Sequence, residues 1–218
     1  MQITLISDTH QLVQRPAEKD LLTSRLTGGH VLIHAGDMSG MGSIPEVTTF
    51  LEWFSGLPYT HKILIAGNHD WLFEKEPYLA KEILTDYPGI TYLNDSGTEI
   101  DGIRFWGSPI TPNFNNWAFN RYHTEIGKHW DLIPDGTDVL ITHGPPYLVL
   151  DQVGGVLQNV GCPKLLKRVQ EVRPKLHVFG HIHEGRGLKQ IGETVYVNAS
   201  VLNAAYRLYD HETIVVEI

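Results

Sequence analysis

Five short polar clusters in this sequence carry the residue types of a metal site: Asp8-Thr9-His10, Gly36-Asp37, Gly67-Asn68-His69-Asp70, His143 and His181-Ile182-His183. Carboxylate, amide and imidazole donors without a thiolate suit a hard or borderline divalent ion such as Mn, Fe(II), Zn, Co or Ni. Spacing adds geometry. At about 3.3 Å per residue, positions i and i+2 of an extended segment lie roughly 6–7 Å apart on one side. That span can flank two ions held about 3.5–4 Å apart. Asp8 with His10, and His181 with His183, have this spacing. A two-ion site needs an anionic bridge. Asp37 is the natural one, and the preceding Gly36 lets backbone and ions approach closely. Two divalent ions with Asp8, Asp37 and a bridging hydroxide leave the centre at about +1, inside a chain of formal net charge −8. Such a centre favours a small anion, for instance a phosphate ester. Any one cluster alone is weak, because a buried His is usually a core residue and Gly-Asp a turn. Their joint position gives them weight.

Each cluster directly follows a short apolar run: Ile3–Ile6, Val31–Ala35, Ile63–Ala66, Val139–Thr142 and Leu176–Phe179. Aliphatic runs of this length, bounded by Gly-rich or polar turns, predict strands buried on both faces. Helices are predicted over Pro45–Leu57, with Ser43 as its cap, and over Pro77–Leu84, Pro163–Val172 and Ala17–Leu26. Thr98–Ile100 and Ile103–Trp106 flank Asp101-Gly102, the signal for a type I′ hairpin. Gly187–Ile191 and Thr194–Asn198 form a second hairpin around Gly192-Glu193, and Ile214–Ile218 is a last strand. The expected architecture is α/β: a four-layer αββα sandwich of two mixed β-sheets flanked by helices, in one domain over residues 1–218. Ligands in layered α/β folds collect outside the carboxyl ends of the strands, so the five clusters should converge. Residues 107–135, rich in Asn, Trp and Pro, are expected to form a surface cap or lid.

Composition narrows the function classes. With 42% hydrophobic and 19% charged residues over 218 positions, the chain reads as soluble and globular, not disordered or fibrous. Lys and Arg number 17 against 25 Asp and Glu, which disfavours binding to a nucleic-acid polymer. The single Cys162 excludes a disulfide framework or thiolate metal site and is read as a packed small residue. No stretch has the apolar length of a membrane span, and the first residues carry no secretory leader pattern. The expected setting is the cytoplasm, with no membrane partner.

In order along the chain, Asp8-x-His10, Gly36-Asp37, Gly67-Asn68-His69-Asp70, His143 and Gly180-His181-Ile182-His183 resemble the calcineurin-like metallophosphoesterase superfamily, across residues 1–200. One departure, Met38-Ser39 after Gly36-Asp37, touches no ligand position. Thr142-His143-Gly144-Pro145-Pro146, the run Arg173–Gly185 and Asn198-Ala199-Ser200 are further similar to the metallophosphoesterase-domain-containing proteins, small class III cyclic nucleotide phosphodiesterases. The resemblance implies two divalent ions per chain, manganese first among the candidates. Asp8, His10, Asp37 and His183 would hold the first; Asp37, Asn68, His143 and His181 the second. It implies in-line attack on phosphorus by a bridging hydroxide, with His69 as general acid and Asp70 hydrogen-bonded to the His69 ring. The implied substrates are small phosphodiesters, 2′,3′- or 3′,5′-cyclic nucleotides in particular.

Substrate contacts are expected from Asn68, Asn198, Arg186 and Trp117. Trp106, Phe114 and Tyr122 are further stacking candidates, and Arg207 is a second candidate for a phosphate. His34 and His177, inside apolar strands, are read as core residues able to orient ligands. Three other readings stay open: a phosphomonoesterase or protein phosphatase on the same site, a nuclease, which the charge disfavours, and a scaffold that kept the fold without the chemistry. A small phosphodiester or nucleotide is the expected partner, and the aromatics around Trp117 leave a homodimer open. Pocket shape should turn on residues 107–135 and 146–160.

Overall fold

The computed structural model describes residues 1–154 and 158–218, so part of the 146–160 segment lies outside the described residues. The strands are β1 (Gln2–Ile6), β2 (Gly29–Ala35), β3 (Tyr59–Ile65), β4 (Ile90–Tyr92), β5 (Ser96–Ile100), β6 (Ile103–Ser108), β7 (Thr111–Pro112), β8 (Asn120–Arg121), β9 (Val139–Thr142), β10 (Gln152–Val153), β11 (Gln158–Asn159), β12 (Leu176–Phe179), β13 (Gly187–Ile191), β14 (Thr194–Asn198) and β15 (Ile214–Glu217). The helices are α1 (Pro16–Arg25), α2 (Ile44–Ser55), α3 (Trp71–Lys75), α4 (Pro77–Leu84), α5 (Gly127–Trp130) and α6 (Pro163–Val172).

Among the described residues two large sheets form, in the orders β15-β1-β2-β3-β4 and β13-β14-β12-β9-β6-β5. Strands β1 to β4 run parallel, with β15 antiparallel at the edge. In the second sheet β14, β12, β9 and β6 run parallel, and the β5–β6 and β13–β14 hairpins supply its antiparallel margins. The aliphatic runs explain the stacking. Alternate side chains leave opposite faces of a strand, and these strands are apolar on both. Ile3, Leu5, Val31, Ile33, Ile63 and Ile65 meet Phe105, Val139, Ile141, Leu176, Val178 and Val197 in one cluster between the sheets. The intervening residues Ile6, Leu32 and Leu64 join Val47, Phe50, Leu51 and Phe54 of α2, while Leu140, Phe179 and Tyr196 join Leu165 and Val169 of α6. Two mixed sheets flanked by helices result. Each such side chain contributes about 1.5–3 kcal/mol by leaving water, so the strand ends are anchored from two sides.

Local signals set the boundaries. Ser43 and Glu46 close a capping box at the start of α2, where Pro45 occupies the first turn. The helix ends at Ser55 rather than at the expected Leu57, because Leu57 precedes Pro58 and a residue before proline avoids the helical region. Asp101 and Gly102 both have positive φ, +50° and +78°, as a type I′ turn requires. Strand β4 and helix α3 have no counterpart in the sequence reading; at three and five residues they are too short to show a period.

Residues 107–135, expected as a surface cap or lid, are packed and border the cavity. They hold the short parallel pair β7–β8 and α5, and Phe119, Ile126 and Trp130 are buried. Arg121 pairs with Glu74 at 2.7 Å, Phe119 N–H donates to the same carboxylate at 2.8 Å, and His129 meets Asp95 at 2.6 Å. The segment is a packed wall. Among the described residues no helix is long and apolar enough to cross a membrane.

Candidate metal centre

All five clusters sit at carboxyl ends of parallel strands: β1, β2 and β3 of the first sheet, β9 and β12 of the second. The loops are laced by main-chain bonds, Asp8 N–H to Gly36 O at 3.0 Å, His10 N–H to Asp37 O at 2.9 Å and Gly180 N–H to His143 O at 3.0 Å. Four of the clustered residues adopt left-handed backbone: Asp8 (φ +56°), His10 (+43°), Asp37 (+56°) and His181 (+67°). For a residue with a Cβ this costs about 1–2 kcal/mol. Such strain persists only where the surroundings over-determine it, and it gathers at functional sites. Here it turns each side chain off its strand toward one centre. Gly36, at φ +98°, is required for the same convergence, since a Cβ there would stand 2.5 Å from His143 Nδ1. A Cβ on Gly180 would strike the Asp8 carboxylate.

Asp37 sits in the middle. Its Oδ1 accepts the His69 N–H at 2.8 Å. Its Oδ2 lies 3.3 Å from His143 Nε2, 3.8 Å from His10 Nε2 and 4.0 Å from His69 Nε2. Asp8 accepts the His181 N–H at 3.0 Å and the Ser200 hydroxyl at 2.7 Å, with Oδ1 3.5 Å from His183 Nε2. Donor atoms gather in three overlapping groups, each within 4.8 Å: Asp8, His10 and His183; Asp37, His143 and His181; and His10, Asp37 and His69. Asn68 Oδ1 joins the second at 3.0 Å from His143 Nε2.

The donor set fits divalent cations. His143 Nδ1–H donates to the Ala35 carbonyl at 2.9 Å, and His183 Nδ1–H to the Asn203 carbonyl at 3.0 Å. Each Nε2 therefore turns its lone pair inward, His143 toward Asp37 Oδ2 and His183 toward Asp8 Oδ1 and His10 Nε2, the last at 3.3 Å. Facing lone pairs repel unless a cation lies between them. In a metal-free protein a proton fills that role. Burial opposes charging of His143 and His183, but the neighbouring carboxylates outweigh it and carry both up to about 9. Burial likewise works against ionised Asp8 and Asp37, yet the imidazoles hold both carboxyls below their ordinary range. Burial takes His10 down to about 4 and His181 to about 3, so both are neutral donors.

The centre floors a cavity of about 720 Å³ whose walls include Asn113, Phe114, Trp117, Gln158, Asn159 and Tyr206. Among the described residues lining it there is no lysine or arginine, so positive charge inside comes from imidazolium rings or from bound cations. His69 Nδ1–H donates to the Gly40 carbonyl at 2.6 Å, which aims Nε2 at the centre, and Trp117 stacks on the ring at 4.3 Å and 28°. Phe114 approaches His181 at 5.1 Å between ring centres.

Three sequence expectations are corrected. Asp70 does not bond the His69 ring. Its carboxylate turns under the loop to accept Ser39 N–H at 3.0 Å, Ser39 Oγ–H at 2.6 Å and Gly67 N–H at 2.7 Å. Burial and the Asp37 charge push it up to about 6, against those donors. Asn198 is buried behind the site. Its amide donates to Ile182 O at 2.7 Å and its Oδ1 accepts from Ser200, so it braces the turn that carries His181 and His183. Arg186 points away, donating to Ser200 O at 2.8 Å and Glu212 O at 2.7 Å, with Tyr209 beneath it. Arg207, Trp106 and Tyr122 are also absent from the cavity lining. Two participants carried no sequence signal. Gly40 acts through its carbonyl, which any residue has. Tyr206, at φ +56°, closes the cavity with its ring 5.0 Å from His10 and 5.2 Å from His183, and no spacing rule marks it.

Comparison with known proteins places the chain in a family. The family model described as calcineurin-like phosphoesterase matches residues 1–185. Human and mouse "Metallophosphoesterase domain-containing protein 1" are each 42% identical over 225 residues, covering 93% of this chain and 66% of theirs. The chain thus spans just under two thirds of those relatives. A Caenorhabditis elegans protein, "UPF0046 protein K07C11.7", is 35% identical over 218 residues, covering 93% of this chain and 70% of its own. One solved structure superposes with a TM-score of 0.72 over 91% of this chain and 90% of its own at 15% identity. TT1561 of Thermus thermophilus superposes at 0.62 over 91% and 88%, at 13% identity. At such identities the structural likeness concerns the fold.

Proposed function

The chain belongs to the calcineurin-like phosphoesterase family, and from that premise we propose that it is a phosphodiesterase that works with two divalent ions and cleaves small phosphodiesters, cyclic nucleotides first among them. The observation that carries this reading is the set of inward-facing lone pairs around Asp37, at the floor of a cavity whose described lining has no lysine or arginine. In this reading Asp8, His10, Asp37 and His183 hold one ion, and Asp37, Asn68, His143 and His181 the other. Manganese is the first candidate, because imidazole with carboxylate and amide oxygen suits it and its neighbours in the series. When bound, such a pair of ions supplies an acidified water as nucleophile and compensates charge growing on the phosphoryl oxygens.

The chain's own groups divide the remaining work. The His69 N–H fixes one Asp37 oxygen and leaves the other facing inward. His69 commits Nδ1–H to Gly40, so Nε2 is the edge that can hand a proton to the leaving alkoxide. Trp117 holds that ring from the side and offers an aromatic flank to a base. A cavity of about 720 Å³ is nucleotide-sized. The lack of an arginine clamp favours a singly charged diester over a dianionic monoester. The cytoplasm is the setting this reading assumes.

A panel of cyclic nucleotides, mononucleotides and aryl phosphodiesters, assayed with Mn²⁺, Co²⁺ and Ni²⁺, tests it. Diester turnover with Mn²⁺ is expected. A panel in which no diester turns over with any of these ions overturns the reading, and faster monoester turnover replaces it with a phosphomonoesterase.

A further inference from the structure

Two buried histidines outside the donor set hold matching positions in the two sheets. His34 lies on β2 and contacts the loop after the neighbouring strand β1, with Nε2 3.0 Å from Thr9 Oγ1. His177 lies on β12 and contacts the last residue of its neighbour β9, immediately before the His143 loop, with Nε2 2.9 Å from Thr142 Oγ1. Both are fully buried, and each packs against rings on the helix side of its sheet, Phe50 of α2 at 4.8 Å and Tyr196 at 5.7 Å.

The proton positions follow from the partners. Gly36 N–H donates to His34 Nδ1 at 3.3 Å, so His34 carries its proton on Nε2 and donates to Thr9. The Thr142 hydroxyl donates to Gly144 O at 2.8 Å, so it can only accept from His177, which also has its proton on Nε2. Both rings are thus neutral Nε2–H donors to a threonine. Thr9 stands between Asp8 and His10, both in left-handed backbone, where the chain needs an external tie to hold its turn. Thr142 immediately precedes His143.

We propose that His34 and His177 are positioning residues with divided labour, His34 setting the Asp8-Thr9-His10 loop for one ion and His177 setting the Thr142-His143-Gly144 loop for the other. The proposal rests on the two-ion reading given above. It assigns to each sheet its own strut, reaching in from the helix layer, and it makes the two ions separately adjustable although they share Asp37. Neither histidine belongs to the donor groups around Asp8 and Asp37 or to the cavity lining.

Mn²⁺ binding by metal-depleted protein, read as stoichiometry and dissociation constants by competition with a chelator, tests this without turnover. Wild type should bind two ions per chain; if it binds none, the two-ion reading falls and the proposal with it. Single-ion backgrounds then separate the halves: His181→Ala retains the ion at Asp8, His10 and His183, while His183→Ala retains the one at Asp37, Asn68 and His143. Thr9→Val removes the hydroxyl with little change of shape. It should weaken the ion left in His181→Ala by about 10–100-fold, the usual size of an outer-shell effect, and barely alter the ion left in His183→Ala. Thr142→Val should do the reverse. His34→Leu should match Thr9→Val without adding to it, and His34→Gln, whose amide can donate from a similar place, should recover part of the loss. Should His34→Leu fail to fold, the threonine variants decide alone. General loosening of the core would weaken both ions alike. If wild type binds two ions but each threonine variant weakens both equally, or neither, the divided roles are wrong while the two-ion reading stands.

Discussion

The floor and the wall of the same cavity are built by opposite means. The floor is assembled from strand ends, where Asp8, His10, Asp37 and His181 are held in left-handed backbone by cross-loop bonds and by the packed sheets beneath. The wall is assembled from Asn113, Phe114, Trp117, Gln158 and Asn159, on segments with only two-residue strands. A centre that must keep donor atoms within a few tenths of an ångström needs rigid support. A wall that selects among substrates needs only shape and a few polar edges. Changes to the floor should therefore abolish chemistry, and changes to the wall should redistribute it among substrates.

Asp37→Ala is the severest test of the floor. It removes the one oxygen that faces His143, His10 and His69 together and takes the counter-charge from beside His143. Metal analysis should find both ions lost and phosphodiesterase activity at background. A variant that keeps two ions would remove Asp37 from the middle of the centre. His69→Ala comes next. It should retain its metal and lose about 10²–10⁴-fold in kcat on a cyclic nucleotide, the usual reach of a general acid. A much smaller loss would be expected on an aryl diester, whose leaving group needs no proton. Equal losses on both substrates would mean that His69 serves the metal centre and not the leaving group.

The same contrast decides what could be read from the sequence. The five clusters and the strands before them are legible because strand ends in a layered fold share one address. Residues of type Asp, Asn and His have few other reasons to recur there. The hairpin at Asp101-Gly102 is legible because only certain residues take positive φ twice in succession. Asp70 and Asn198 misled because a polar side chain beside a ligand can brace its loop as readily as reach the cavity, and sequence position does not fix its direction. Arg186 misled for a related reason: two main-chain carbonyls, at Ser200 and Glu212, engage its guanidinium. Carbonyl partners such as Gly40, and the wall residues, depend on folded geometry alone.

Removal of the metal gives a third test, read as stability. In the metal-free protein His143 and His183, raised from 6.5 to about 9, contribute stability that is fully present below pH 6.5 and lost as pH rises through 9. His10, His34, His177 and His181, lowered by burial to about 3–4, act in the other direction. Their contribution is present above pH 6.5 and lost on acidification. Thermal denaturation of the metal-free protein should therefore peak near pH 6.5 and fall toward pH 9. With Mn²⁺ bound, His143 and His183 no longer hold protons, so the alkaline decline should flatten. Parallel alkaline declines with and without Mn²⁺ would show that these two histidines do not face the ions.

The wall supplies the smallest effect and the sharpest contrast. Trp117 stacks on His69 on one side and lines the cavity with its remaining surface. Base–aromatic stacking is worth about 1–3 kcal/mol, roughly 5–150-fold in binding. Trp117→Ala should therefore raise KM for a cyclic nucleotide within that range, with little change for a small aryl diester that has no base to stack. His69 keeps its Gly40 anchor in this variant, so kcat should fall far less than in His69→Ala. Metal content should be unchanged, because no donor atom of the centre comes from this segment. If instead both substrates lose equally in kcat, Trp117 acts by holding the His69 ring, and the base must be selected elsewhere along the cavity. Phe114, against His181, would then be the next aromatic to replace.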